Sequence, residues 1–271
     1  MPELPEVETV RRALSDQIVG HKIIDVEIRY NNIIDDDIVE FKNNIIDKKI
    51  ISLSRLGKYL IINFIDGAII SHLRMEGKYF YLANASAFDK HTHVIFHLSN
   101  GYMLLYNDVR KFGRMTYRAK EDIYTTLPLK NVGVDPVLAQ NIIIDDIYGK
   151  IRMRKTPIKT VLLSQEIISG LGNIYVDEVL YSSKINPHRL SNNITKDEVR
   201  MIIEESIRIL NLAILNKGTT IRSYTSSLNV KGNYQNFLNV HTKSECPHCK
   251  SILFRDKING RTTYYCNNCQ R

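Results

Sequence analysis

The spacing of apolar residues changes period along this chain. Over residues 5–19, Val7, Val10, Leu14 and Ile18 fall on one face at helical spacing, behind an opening turn rich in proline and glutamate. The segments HKIIDVEIRY, KIISLSRLGKYLIINFI, GAIISHLRM, KYFYLA, HVIFHLS and GYMLLYND follow. They are β-branched and aromatic, and several are separated by Asp-Gly, Glu-Gly or Asn-Gly turn signals, so they predict a mostly antiparallel β domain. LPLKNVGVDPV breaks that pattern, and from about residue 139 the apolar spacing becomes helical in LAQNIIIDDIYGKIR, IKTVLLSQEII, NIYVDEVLYSSK and TKDEVRMIIEESIRILNLAILNK. The last opens with Thr195 and Glu198 at capping-box spacing and ends at Gly218, a C-cap residue.

A length of 271 residues allows more than one core. No uncharged apolar run reaches the roughly 18 residues of a membrane span, and the N-terminus lacks the pattern of a signal peptide, so the expectation is a cytoplasmic protein with no membrane partner. Net charge is +8, and residues 241–271 carry six Lys or Arg against Glu245 and Asp256. A basic tail favours a polyanionic partner over a plain solvated surface.

All four cysteines lie in that tail as Cys246-x2-Cys249 and Cys266-x2-Cys269. Two such knuckles suit one tetrahedral zinc ion, and SILFRDKINGRTTYY between them predicts a β-hairpin turning at Asn259-Gly260. The alternatives are disulfides, disfavoured in a reducing compartment, and a redox CxxC, which needs no second pair. Four thiolates leave no open coordination position, so such a zinc is structural. Arg261 then stands at the hairpin tip, where it either reaches a partner or is merely solvated.

Removal of Met1 would expose Pro2 as a secondary amine. An α-amino group has a pKa of about 8, well below lysine, and its free-base form attacks a carbon electrophile to give an iminium. Glu3 stands beside it as a proton donor and acceptor.

MPELPEVETV at the start and CPHCK…GRTTYYCNNCQR at the end together resemble formamidopyrimidine-DNA glycosylase, the 8-oxoguanine DNA glycosylase/AP lyase family. SRLGKYL, HLRMEGKY, KHTHVIF, NDVRKFGRM, TPIKTVLLSQ, GLGNIYVDEVL and KGTTIRSY extend the resemblance through nearly the whole chain, in order. It implies an α+β multidomain fold: an N-terminal β-sandwich with flanking helices over 1–133, a helix-two-turn-helix module over 134–235, and a C-terminal four-cysteine zinc-finger β-hairpin over 236–271. It further implies a monomer with damaged double-stranded DNA in the cleft between domains.

The same resemblance implies a bifunctional base-excision enzyme acting on 8-oxoguanine and formamidopyrimidines. A stacked purine is out of reach of a protein amine, so its nucleotide must be extruded. Pro2 would attack C1′, Glu3 would shuttle protons, and Lys58 would donate a proton near the reacting sugar, with Arg261 joining them from the hairpin. Glu6 would support the N-terminus. Met75, Arg110 and Phe112 would fill the vacated space, with Arg110 donating to the orphaned base. His72, His91, Arg154, Lys159, Asn173 and Arg261 would anchor phosphates, while His93 would be structural. Asn173 has independent support, because GLGN places backbone amides at a helix N-terminus. Thr219, Thr220, Ile221, Arg222, Ser223 and Tyr224 would form a loop over the lesion. Outside the family motifs, Lys58 reads as solvated and Met75, Arg110 and Phe112 as ordinary core and surface.

Three departures stand out: Val240-His241-Thr242 where the family has Val-Tyr-Gly, Lys250 after the second cysteine, and GVDPV as the linker. One rival is an endonuclease VIII-like oxidised-pyrimidine glycosylase, but that branch has glycine where Leu4 stands here. Another is a non-catalytic zinc-ribbon DNA-binding protein, to which charge and cysteines alone would point.

Overall fold

The computed structural model describes residues 2–83, 89–219 and 232–271. The chain divides into two units, residues 1–131 with 219–232 and residues 132–218 with 233–271. Thr219 and Gly232 therefore join the first unit although they follow the last long helix in sequence. Cysteine hairpin and helical segment share the second.

In the first unit, α1 (Leu4–Ile18) begins at Glu3 as N-cap, with Pro5 in its first turn, and buries Leu4, Val7, Val10, Leu14 and Ile18. Then come β1 (Ile23–Ile28) and α2 (Ile38–Ile45), followed by β2 (Ser52–Leu56), β3 (Tyr59–Asn63) and β4 (Gly67–His72). β5 (Lys78–Leu82), β6 (Thr92–Leu98), β7 (Met103–Asn107) and β8 (Arg114–Ala119) complete the strands. They form two antiparallel sheets, ordered β1-β6-β7-β5 and β2-β3-β4-β8.

One core serves both sheets. Val26, Val94, Phe96 and Tyr106 from the first lie in a single buried cluster with Leu53, Leu60, Ile69 and Met115 from the second and with Val7, Val10 and Leu14 of α1. Neither sheet could bury its apolar face alone, which is why the strands become a sandwich flanked by a helix. In β4 every residue is buried, the polar Ser71 and His72 included, so the strand shows no alternation of inside and outside positions.

In the second unit, α3 (Ile144–Arg152), α4 (Ile158–Leu163), α5 (Asn173–Ser182) and α6 (Lys196–Leu215) precede the hairpin β9 (Phe254–Ile258) and β10 (Arg261–Tyr265). α3 starts later than the apolar spacing from residue 139 predicts, and ahead of it the chain turns at Asp135, whose carboxylate accepts from the N–H groups of Val137 and Leu138. The capping box of α6 forms in both directions, with Thr195 N–H donating to Glu198 Oε2 at 2.8 Å and Glu198 N–H to Thr195 Oγ1 at 3.3 Å. Gly218, at φ +75°, closes the other end by donating to Ala213 O at 2.8 Å. Among the described residues, no helix is long and apolar enough to cross a membrane.

Candidate functional site

In the first unit the chemistry gathers at the start of α1. Pro2 and Glu3 are buried, and the Glu3 N–H donates to Glu6 Oε2 at 2.9 Å. Glu6 Oε1 accepts from the Thr219 N–H at 2.7 Å and from the Thr219 hydroxyl at 3.2 Å. One carboxylate thus ties down the residue after Pro2 and the first residue of the expected lesion loop. Met1 and the loop positions Thr220, Ile221, Arg222, Ser223 and Tyr224 lie outside the described residues.

Lys58 is buried on the turn between β2 and β3, directly after Gly57 at φ +55°. That turn is held by Arg55, whose guanidinium donates to Gly57 O at 2.9 Å and to Glu8 Oε2 of α1 at 3.3 Å. Burial pushes the Glu8 carboxyl up, but hydrogen bonds from Arg11 and Arg12, together with the charges of Arg11 and Arg55, outweigh it and hold the pKa at about 2. Glu8, ionised near neutral pH, therefore links the helix that follows Pro2 to the turn that carries Lys58.

His72 closes β4. Burial, with the positive charges of Arg74 and Lys58 nearby, pushes its pKa down to about 3, so the ring is neutral near pH 7. Its Nδ1 accepts the Arg74 N–H at 3.0 Å, which assigns the ring proton to Nε2. His72 is thus a neutral donor rather than a cation. The Tyr59 ring packs on it edge-on at 4.7 Å.

Met75 is half-buried on the turn between β4 and β5, while Arg110 and Phe112 are exposed on the segment between β7 and β8. The Arg110 guanidinium lies 4.7 Å from the centre of the Phe112 ring. Both are presented by Asp108, a buried carboxylate that accepts the N–H groups of Arg110, Phe112 and Gly113 at 3.0, 2.9 and 2.8 Å. His93 is structural: its Nε2 donates to Asp108 O at 2.8 Å. His91, half-buried, precedes β6 and accepts the Asp108 N–H through its carbonyl. In the sequence the only trace of the Asp108 role is an aspartate ahead of a short turn ending in glycine.

In the second unit, Asn173 is the first residue of α5, behind Gly172 as N-cap, and its Nδ2 donates to Thr262 O of β10 at 2.8 Å. Arg261 is exposed beside the Asn259–Gly260 turn, both turn residues having positive φ. With Asn259 and with Thr160, Leu163 and Ser164 from the end of α4, it lines a cleft of about 370 Å³. Arg154 is exposed and ion-paired with Glu166 at 2.7 Å.

Lys159 requires a correction. The side chain expected to anchor a phosphate is 0% exposed, and its Nζ donates to Asp177 Oδ1 at 2.7 Å, Thr263 Oγ1 at 2.9 Å and Thr262 O at 3.2 Å. A lysine enclosed in this way joins α4, α5 and β10 and presents no charge to a ligand. The other Asp177 oxygen accepts from His241 Nδ1 at 2.8 Å and from the Tyr264 N–H at 3.3 Å. Glu178 accepts the N–H groups of Asn239, Val240 and His241 at 2.8–2.9 Å. Two consecutive buried carboxylates of α5 thus hold the hairpin and the segment leading to it, and His241, a departure from the family pattern, is one of the groups they hold.

The four cysteine sulfurs lie within 4.8 Å of one another. Cys246 and Cys269 are 3.8 Å apart, and Cys249 and Cys266 3.4 Å. Tetrahedral zinc–thiolate bonds of about 2.3 Å place sulfurs roughly 3.8 Å apart, so the cluster fits a tetrahedral metal ion. Around it, Lys250 donates its N–H to Cys246 O and the Cys266 N–H is held by Gln270 Oε1, which shapes each knuckle. Lys250 takes φ +62°, the left-handed conformation that glycine adopts most readily.

Comparison with known proteins agrees with this geometry. Residues 1–115 match the formamidopyrimidine-DNA glycosylase N-terminal domain, and residues 132–225 match the formamidopyrimidine-DNA glycosylase H2TH domain. The formamidopyrimidine-DNA glycosylase of Streptococcus mutans serotype c is 42% identical over 273 residues, covering 100% of both chains. That of Streptococcus pneumoniae (strain ATCC BAA-255 / R6) is also 42% identical, covering 100% of this chain and 99% of the relative. Lactococcus lactis Fpg, 37% identical and fully covered, superposes with a TM-score of 0.92 in complex with abasic-site DNA and 0.91 with N7-benzyl-Fapy-dG DNA. The chain therefore belongs to the formamidopyrimidine-DNA glycosylase family, the DNA glycosylases and AP lyases of base-excision repair.

Proposed function

We propose that this chain excises oxidised purines, 8-oxoguanine and formamidopyrimidines, from duplex DNA and cleaves the strand by β,δ-elimination, with Pro2 as nucleophile. The observation that carries this reading is the Glu6 tie to Glu3 and Thr219, which holds the residue next to Pro2 in a fixed, buried place.

With Met1 removed, the Pro2 nitrogen attacks C1′ of an extruded nucleotide. The C1′–N9 bond breaks, its electron pair leaves with the base, and the base takes up a proton. The nitrogen then loses its proton and its lone pair breaks the C1′–O4′ bond, O4′ taking up a proton as the sugar ring opens to an iminium. The iminium acidifies C2′–H, and loss of that proton expels the 3′ phosphate. Loss of a C4′ proton then expels the 5′ phosphate, and water releases the amine. Glu3 accepts and returns these protons, and Lys58 donates beside the sugar. The neutral His72 offers Nε2–H to a phosphate, while His91, Arg154, Asn173 and Arg261 supply further phosphate contacts. Met75, Arg110 and Phe112 occupy the vacated stack. The segment beginning at Thr219 covers the lesion.

One structural zinc ion on the four thiolates fixes the shape of the finger. The protein acts as a monomer in the cytoplasm. Abasic-site DNA and N7-benzyl-Fapy-dG DNA bound by Lactococcus lactis Fpg support this choice of substrate.

Borohydride trapping on an 8-oxoguanine duplex tests the reading. A covalent adduct is expected with the processed protein and is expected to vanish with Pro2→Gly or an N-terminal tag. Adduct formation by a cleanly tagged protein overturns Pro2 as nucleophile, and faster excision of thymine glycol than of 8-oxoguanine overturns the lesion class.

A further inference from the structure

The void-filling residues stand on two separate turns, Met75 between β4 and β5, and Arg110 and Phe112 between β7 and β8. One buried side chain lies against both. A methyl group added at Gly113, at the end of the second turn, would meet the Tyr106 phenol oxygen at 1.6 Å, and one added at Gly77, at the end of the first, would meet it at 2.3 Å. Neither glycine has a positive φ. Close approach of the Tyr106 hydroxyl, and at Gly77 also of Leu73 O, is what excludes a side chain at these positions.

The phenol is rigidly placed. Tyr106 is fully buried on β7, two residues before Asp108, and its ring packs on Tyr79 at 5.3 Å and 62°. Tyr79 pairs with it across β5 and β7 and donates its own hydroxyl to Ser71 Oγ of β4 at 2.8 Å. Each turn is closed on itself, the first by the Gly77 N–H donating to Leu73 O at 2.9 Å and the second by Asp108. Two closed turns that share one close-packed, immobile contact cannot shift independently without opening a gap or a clash at it.

We propose that Tyr106 is a positioning residue that couples the Met75 turn to the Arg110–Phe112 turn, so that the groups replacing the extruded nucleotide enter the DNA stack as one wedge. This rests on the void-filling reading of those three residues, and the test separates the two ideas.

The experiment is a double-mutant cycle on Met75→Ala and Phe112→Ala, in the otherwise native chain and again with Tyr106→Phe. The readout is the single-turnover rate of extrusion, followed by a fluorescent base analogue beside an 8-oxoguanine, with melting temperature as the control for folding. In the native background each alanine slows extrusion, and the double mutant departs from the product of the single effects by at least about twofold, the scale expected of coupled neighbours. With Tyr106→Phe the two effects multiply independently while the melting temperature stays close to the parent's.

Gly113→Ala, which displaces the phenol from the other side, repeats the test if Tyr106→Phe does not fold, and the same loss of coupling is expected. Effects that multiply independently in the native background overturn the proposal and leave void-filling intact. So does coupling that survives in a folded Tyr106→Phe or Gly113→Ala protein. If neither alanine slows extrusion, the void-filling reading fails first and the proposal with it.

Discussion

Glu6 and Thr219, 213 positions apart, share a buried hydrogen bond of 2.7 Å. The other oxygen of the same carboxylate holds the Glu3 N–H, so an amide at position 6 must turn its NH2 toward one of these two donors. Glu6→Gln should therefore cost about 1–3 kcal/mol locally and slow borohydride trapping on an abasic-site duplex, with a small fall in melting temperature. Unchanged trapping and unchanged melting would refute the role assigned to Glu6.

Lys159 and Arg261 should separate in a salt series. Breaking the buried Lys159–Asp177 pair with Lys159→Ala leaves an uncompensated carboxylate, a loss of about 3–5 kcal/mol in the second unit. It should nevertheless leave the slope of log affinity against log salt unchanged. Arg261→Ala should lower that slope by about one with little change in melting temperature. A one-unit drop in the slope for Lys159→Ala would mean that its ammonium reaches a phosphate after all.

Asp108 and Arg110 predict a difference in opposite-base selectivity. If Arg110 donates to the acceptor edge of an orphaned cytosine, Arg110→Ala should cost about 1–3 kcal/mol of discrimination between cytosine and adenine opposite the lesion. Asp108→Ala, which frees the three N–H groups that shape the turn, should lose the same discrimination without removing the guanidinium. Single-turnover excision opposite each base decides it. A preserved ratio in Arg110→Ala makes Arg110 a phosphate contact only.

His72 has a distinct acid signature. Its pKa of about 3 in the folded protein lies below the unfolded value of 6.5, so the unfolded chain binds the extra proton between those limits. The stabilising contribution is complete above pH 6.5 and is lost as pH falls toward 3, by about 2 kcal/mol between pH 6.5 and 5. Glu8, with its pKa depressed from 4.5 to about 2, loses its contribution only below pH 4.5. Denaturant unfolding at pH 6.5 and 5 should therefore show a smaller loss in His72→Gln than in the parent. Equal losses would place a cation, not a neutral ring, at position 72.

Chelation, or Cys249→Ser, should abolish DNA binding while the circular dichroism of the β-sandwich persists, and metal analysis of the intact protein should return one zinc per chain. Simultaneous loss of sandwich signal and binding at the same chelator dose would show that the finger is integral to the whole fold.

Local chemistry was legible in the chain itself. The stripe of α1, the capping box at Thr195 and Glu198, the Asn259–Gly260 turn and the paired cysteine knuckles each depend on residues a few positions apart, where period and turn preference act directly. The match of motifs from Pro2 to Cys269 likewise required only order and identity. What the tertiary structure decided was burial and long-range pairing. Lys159 lies in a family motif and is basic, yet α5 and β10 enclose it; no local signal tells an enclosed lysine from a solvated one, because the difference is Asp177 eighteen positions away and Thr263 beyond a hundred. His72 is neutral because the fold buries it beside Arg74 and Lys58. Arg55 and Tyr106 likewise owe their roles to partners on other elements, Glu8 of α1 for the one and the Gly77 and Gly113 turns for the other. Asp108 is met by N–H groups two to five positions on, yet only its burial makes those bonds matter, and a burial cost set by the tertiary fold leaves no periodic trace in sequence.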